Sequence, residues 1–536
     1  MSNTVKIEHR GILKYKIFLY LTEFFSGMSV MAVELGASRL LAPYFSSSQI
    51  VWTIIIGTIM IAMALGNVYG GRMADKNPNP DKLYMRLIIA SVWIAAIPFI
   101  GKFVILGICG LLVVTVSTNF LIWASFLACM IVFVFPLFIL GTTTPCLVKY
   151  SMESLDDSGK TVGILNASNT IGSIIGTFVP TFISIPAFGT AVTFLIFSGI
   201  LLALGLVYFI STKTKLIKSA VSVILFVVCC FFSTSIGFAF WQDDLAYEGE
   251  SVYNYLQVTE NDTKVILSTN VLFGVQSVYQ KNDDLTGFYY DYALAAPLMT
   301  DQYGEETMDI LILGMGTGTY ALQCDKYFDN ITVEGVEIDE KITSLAHEYF
   351  HLPENIKVTT YDGRAFLNVC NKKYDVIMVD AYQDITIPFQ MSSVEFFTMV
   401  KNSLNEGGVM IVNMNMYNDS EGSINQYLSD TIASVFDDVY TINTTGTNKE
   451  LFASDNGNMI KNLSVNTIGL DNVKLRSLME KISKNCVEYK GGDKILTDDK
   501  APVELLGMRV IDGMISEQLE YYKNIIKEEG LAGLLK

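Results

Sequence analysis

Gly314, Gly316 and Gly318 stand two residues apart, and a carboxylate, Glu337, lies about 20 residues downstream. Glycines at that spacing let a backbone turn approach a ligand closely, and an acid at that distance accepts from the hydroxyls of a ribose. The chemistry this suggests is capture of an adenosine-type nucleoside. Further polar groups stand at the ends of apolar runs: Asp339, Asp362 beside Gly363, then Asp380 and Asp384. Carboxylates gathered around a nucleoside can hold a cation and accept a proton from it. A second pattern, His347-Glu348-Tyr-Phe-His351, has the spacing of a helical zinc site. It falls where a helix packs on the sheet, and His9 is the only other histidine. No metal is expected.

The runs Met308–Leu313, Ile331–Ile338, Lys357–Thr360, Tyr374–Val379 and Gly408–Asn413 alternate with helical stretches. That alternation predicts a parallel sheet wound on both faces, an α/β Rossmann-like domain. Ligands in such sheets sit beyond the carboxyl ends of the strands, where the acids above would converge. Residues Glu248 to Ser277 read as a small β-rich lead-in. The expected organisation is a multi-pass α-helical membrane domain over 1–240, a lead-in over 241–300 and the Rossmann-like catalytic domain over 301–536.

The 536 residues are 51% hydrophobic with a net charge of −17, but this average joins two unlike halves. Residues 1–240 carry 15 Lys+Arg against 8 Asp+Glu; the rest carries 22 against 46. A surface that acidic disfavours nucleic acid and attracts small cations. Seven apolar stretches reach the roughly 20 residues a bilayer requires: Ile17–Leu41, Val51–Tyr69, Leu83–Gly101, Phe120–Val148, Val162–Ile185, Ala191–Ile210 and Ile217–Phe240. Phe103–Val116 would extend the third, re-enter or form an eighth. Lys6, Arg10, Lys14 and Lys16, then Arg72, Lys76, Lys82 and Arg86, later Lys149, Lys160, Lys213, Lys215 and Lys218, fall on one side of a seven-span arrangement; Lys102 falls on the other. By the positive-inside rule the acidic half is then outside the cell, whereas adenosyl compounds are made in the cytosol. Glu23 and Glu34 share a face of the first span, marking a polar pathway, or else lying near the interfaces or pairing with Arg39. The eight cysteines show no metal or disulfide spacing.

The soluble half resembles the polyamine aminopropyltransferase (spermidine synthase) family, which implies an α/β Rossmann-like fold of the class I methyltransferase type, and the chain as a whole resembles its multi-pass membrane members. Phe24-Phe-Ser-Gly27, Leu41-Ala-Pro43-Tyr44, Gly70-Gly-Arg72-Met-Ala-Asp75 and Leu496-Thr-Asp498-Asp499-Lys-Ala-Pro502 carry the latter likeness. The resemblance implies donor-binding roles for Gly314, Gly316, Thr317 and Gly318, for Glu337 at the ribose, and for Asp362 and Gly363 at the adenine edge. Pro388, Asn254 and Gln276 join that set, and Asp380 becomes the proton acceptor. Asp384 and Asp291 would hold the amine, with Tyr253, Tyr289, Tyr290 and Tyr382 lining its slot. This chain departs from the soluble members at three places. Gly314-Met-Gly-Thr317-Gly-Thr lacks their loop aspartate, Tyr289-Tyr290-Asp291-Tyr292 replaces Tyr-His-Glu-Met, and Asp380-Ala-Tyr382-Gln-Asp384 is one residue longer than Asp-Ser-Ser-Asp. The donor half is kept and the amine half altered.

The activity so implied is that of a transferase that moves an aminopropyl group from decarboxylated S-adenosylmethionine, or uses S-adenosylmethionine itself, with a small cationic amine as acceptor. Membrane lipid is an expected partner, and homo-oligomers are left open. A methyltransferase on the same scaffold, or a transporter or sensor that binds an adenosyl ligand without turnover, are the alternatives.

Overall fold

The computed structural model describes residues 11–45, 48–115, 119–152, 158–271, 275–282, 284–304, 307–382, 387–414, 421–445 and 448–507. The described chain divides into two compact units between Trp241 and Gln242.

The first unit is helical: α1 (Lys16–Phe45), α2 (Gln49–Lys76), α3 (Pro80–Thr115), α4 (Phe120–Val132), α5 (Val134–Gly141), α6 (Thr143–Ser151), α7 (Ser158–Val179), α8 (Ile185–Thr212) and α9 (Leu216–Ser235). The apolar run from Phe103 therefore continues α3. By length and composition five stretches suit a bilayer, one being Ser158–Thr212, and α4 with Val134–Ser151 makes a further pair bent by 50°. At about 1.5 Å per residue, the 55 residues of Ser158–Thr212 would run about 80 Å, far more than a bilayer core. They are two helical runs. Gly172 lies against Phe24 and Gly176 against Met28, so α7 runs parallel to α1. The Ser29 hydroxyl donates to the Phe197 carbonyl, Gly36 abuts Phe194, and Ile12 bonds Ser211, so α8 runs antiparallel to α1. The chain turns back at Gly189, whose φ of 81° and ψ of 171° are not helical. Contacts elsewhere continue the alternation: Trp93 donates to Val132 while Arg86 reaches Cys146, setting α3 against α4–α6. Cys229 meets Val92 and Ser233 meets Ala95, setting α9 parallel to α3. The described residues of the unit thus make seven helical runs of alternating direction, counting α4–α6 as one, and the chain leaves α9 at the end opposite the start of α1.

The second unit opens with an antiparallel meander of β1 (Leu245–Glu250), β2 (Tyr255–Glu260), β3 (Lys264–Ser268) and β4 (Ser277–Gln280). Its apolar face (Leu256, Val258, Val265, Leu267) packs on Ile342, Leu345 and Phe350 of and just beyond the helix Glu340–Tyr349. The main sheet adds β5 (Met308–Leu313), β6 (Ile331–Glu337), β7 (Lys357–Thr360), β8 (Tyr374–Val379), β9 (Leu404–Met414), β10 (Asp438–Asn443), β11 (Lys449–Ser454) and β12 (Val487–Glu488). Spatial order is β12-β10-β11-β9-β8-β5-β6-β7, with the five strands β5 to β9 parallel and the other three joined by antiparallel pairing. This is a Rossmann-like sheet of the methyltransferase type. Strands β5 and β8 are apolar nearly throughout because helices cover both faces. The strand order reverses between β5 and β8, and a crevice opens there at the carboxyl ends.

Candidate active site

Each element delivers one group to that crevice. After β5, Gly314, Gly316 and Gly318 all have positive φ (81°, 57° and 84°), so the turn suits glycine. Gly314 carries a second demand, because a Cβ there would sit 2.6 Å from the Ala381 Cα. Glu337 ends β6, and its two oxygens accept from Gly316 N (2.9 Å) and Asp339 N (3.0 Å). Burial pushes its carboxyl up to about 7 against those bonds. Asp362 caps the helix Gly363–Val369 by accepting from Ala365 N at 2.8 Å.

Asp380 follows β8. Its Oδ2 accepts from the Tyr289 hydroxyl at 2.7 Å and its Oδ1 from Asn413 Nδ2 at 3.0 Å. Withdrawal from water raises its carboxyl to about 7; these two bonds oppose the rise and the Glu337 charge adds to it. Tyr289 and Tyr290 have ring centroids 4.0 Å apart, and the Tyr290 hydroxyl donates to the Gln276 carbonyl at 2.7 Å.

One cavity joins these groups. Of the residues singled out in the sequence, Asn254, Gln276, Tyr289, Tyr290, Gly314, Gly316, Glu337, Asp362, Gly363, Asp380, Tyr382 and Pro388 line it. Its described lining holds three acids (Glu337, Asp362, Asp380) and no Lys, Arg or His. A positive ligand is favoured there.

Other expected residues lie elsewhere. Asp291 is buried, and its oxygens accept from Thr286 N and Oγ1 (2.9 and 2.7 Å) and Gly287 N (2.7 Å). It braces the loop before the helix Tyr289–Ala293 and is not part of the cavity lining. Tyr253 is 48% exposed and does not line the cavity either. Thr317 and Gly318 sit behind the lining: Thr317 N donates to Ser277 Oγ at 3.1 Å, and Gly318 caps the helix Thr319–Tyr327. Asp384 lies outside the described residues. His347 Nδ1 bonds the Leu352 carbonyl (2.8 Å), His351 packs on Tyr279, and no metal-holding cluster occurs among the described residues.

Sequence reasoning missed Thr269, Ser277, Tyr361 and Gln390 in the lining, and two polar groups behind Asp380. Asn413 is the side chain that fixes Asp380, and its only sequence signal is its place at a strand end. Glu450 on β11 pairs with Asn413 across the sheet, is fully buried, and neither carboxyl oxygen has a hydrogen-bond partner. Burial, aided by the Asp380 charge, drives its carboxyl well above the normal range.

Residues 288–457 match the family model described as the spermine/spermidine synthase domain. A protein of Bifidobacterium longum named "Probable polyamine aminopropyl transferase" is 53% identical over 352 residues, covering 62% of this chain and 78% of its own length. The chain belongs to the polyamine aminopropyltransferase family. It is therefore a transferase. The polyamine aminopropyltransferase of Oceanobacillus iheyensis is 25% identical over 51% of this chain and 56% of its own length. Among solved structures, a probable spermidine synthase from Corynebacterium glutamicum is 19% identical, covers 46% of this chain and 96% of its own, and has a TM-score of 0.35.

Proposed function

We propose that this aminopropyltransferase homologue is embedded in a membrane and moves the aminopropyl group of decarboxylated S-adenosylmethionine onto a small amine. The carrying observation is Asp380. It stands on the wall of an acid-lined cavity, beside the glycine turn, with Tyr289 and Asn413 holding both of its oxygens.

The nucleoside would lie against Gly314 and Gly316, its ribose at Glu337 and its adenine toward Asp362 and Gly363. The sulfonium carbon would face Asp380. The amine nitrogen forms a bond to that carbon, the carbon–sulfur bond breaks, and its electron pair stays on sulfur, releasing methylthioadenosine. The nitrogen's surplus proton passes to Asp380. An alkylammonium titrates near 10, so an ordinary carboxylate is a poor acceptor. Raising Asp380 to about 7 removes about three units of that mismatch, roughly 4 kcal/mol. Alignment of the two reactants supplies a comparable or larger share, roughly 7–11 kcal/mol. The name of the Bifidobacterium longum relative supports aminopropyl transfer in this chain. Five helical stretches long and apolar enough to cross a bilayer, six with the bent pair, support the membrane setting.

The test is product mass. The full chain is incubated with an amine and either decarboxylated S-adenosylmethionine or S-adenosylmethionine. An amine heavier by one aminopropyl unit, formed only with the former, supports the reading. An amine heavier by one methylene would show a methyltransferase instead.

A further inference from the structure

The helical unit contains a carboxylate that the transfer reaction does not use. Glu23, in α1, is fully buried. Its Oε1 accepts from Thr144 Oγ1 of α6 (2.6 Å) and from Asn169 Nδ2 of α7 (2.8 Å), so three passes meet at one acid. Its Oε2 is buried with no hydrogen-bond partner. Two more buried oxygens lack partners close by in the chain: Ser26 Oγ, one turn along α1, and Thr143 Oγ1, next to Thr144. In an apolar interior such groups are expected to be satisfied, because each lost bond costs about 1–3 kcal/mol.

The backbone around Glu23 is arranged for close approach. A Cβ on Gly27 would meet the Asn169 carbonyl at 2.6 Å, and Gly172 and Gly176 press on the backbone of Phe24 and Met28. Thr142 interrupts the helical ladder between α5 and α6, its N–H turning to Ile139, one residue before Thr143. Interrupted helices and buried acids recur where membrane bundles bind ligands.

We propose that Glu23, Ser26 and Thr143 form an alkylammonium site inside the helical bundle. The inference rests on the reading of this chain as a membrane enzyme acting on amines. The chemistry selects the ligand. One carboxylate balances one positive charge, and an ammonium group brings N–H donors for buried oxygens that lack them. A divalent metal would call for more charged ligands, and no cluster of three His, Cys, Asp or Glu that could hold one occurs among the described residues.

The experiment uses the full chain in lipid nanodiscs and dicyclohexylcarbodiimide, which modifies carboxyls in apolar surroundings, with labelled peptides read by mass spectrometry. Glu23 is expected to react. Putrescine, used as the probe at about ten times its Kd, should slow that reaction about tenfold, in proportion to the free sites left. Ser26→Ala and Thr143→Val should keep the label but lose much of the protection. Glu23→Gln should lose the label while turnover with added amine in detergent stays as in the unaltered protein, since Glu23 is no part of the Asp380 cavity. Labelling of Glu23 that putrescine leaves unchanged overturns the site and leaves the transferase reading standing. Equal labelling by a water-soluble carbodiimide overturns the lipid setting, and the site with it.

Discussion

At the residue scale, function turns on carboxyls whose protons are controlled by burial. Asp380 accepts a proton only when ionised, and its carboxyl sits at about 7. The rate kcat/KM should therefore rise with pH through about 7 and flatten above it. Glu337, also near 7 and in the same cavity, means the limb reports the pair. A pH–rate profile already flat from pH 5 upward would remove Asp380 from proton transfer. Glu450 makes a different prediction. Its folded carboxyl stays protonated far above the unfolded range, so the folded chain binds a proton that the unfolded chain has lost. The stability associated with this group is fully present below about pH 4.3 and declines as pH rises. Glu450→Gln removes that dependence. Its advantage over the unaltered chain should grow as pH rises above that point. Thermal unfolding of both proteins at pH 5 and pH 7 checks this, and parallel behaviour would contradict it.

At the scale of elements, the glycine turn and the strands it joins are legible in the sequence because their constraints are local. Met308–Leu313 can only be a strand covered on both faces, and Gly314 must be glycine for both its φ and its distance from Ala381. Gly314→Ala should cost at least about 1–2 kcal/mol from the backbone conformation alone, and should weaken methylthioadenosine binding. Paired melting and calorimetry would show both effects; a variant that binds and melts normally contradicts the turn's role. Elements whose identity depends on distant partners are not legible. Strand β10, Asp-Val-Tyr-Thr-Ile-Asn, and β11, with Glu450 in its midst, lack the continuous apolar run of a central strand. Their antiparallel pairing is set by the sheet they complete. Asp291 departs from its expected place for a similar reason. An acid near an active-site motif and an acid closing a turn look alike in sequence, and only the N–H groups of Thr286 and Gly287 separate them.

At the scale of the whole molecule, the helical runs alternate in direction, so the bundle has two distinct ends. The described basic residues Lys14, Lys16, Arg72, Lys76, Lys82, Arg86, Lys149, Lys160, Lys213, Lys215 and Lys218 all fall at or near the end where α1 begins. Arg39, in the last turns of α1, and Lys102, buried with its Nζ on the Ile236 carbonyl, lie toward the other end. The positive-inside rule then predicts an extracytoplasmic side for residue 242 onward. Alkaline phosphatase fused after Lys536 should be active and a fluorescent protein dark; the reverse pattern would require a different number of passes. The central claim is that Glu337, Asp362 and Asp380 surround one nucleoside site in which Asp380 alone takes the amine's proton. Asp380→Asn tests it most directly, with turnover and methylthioadenosine affinity measured on the same preparation. Turnover should fall about 10²–10⁴-fold while affinity changes little. Undiminished turnover, or a parallel collapse of both quantities, would contradict the claim.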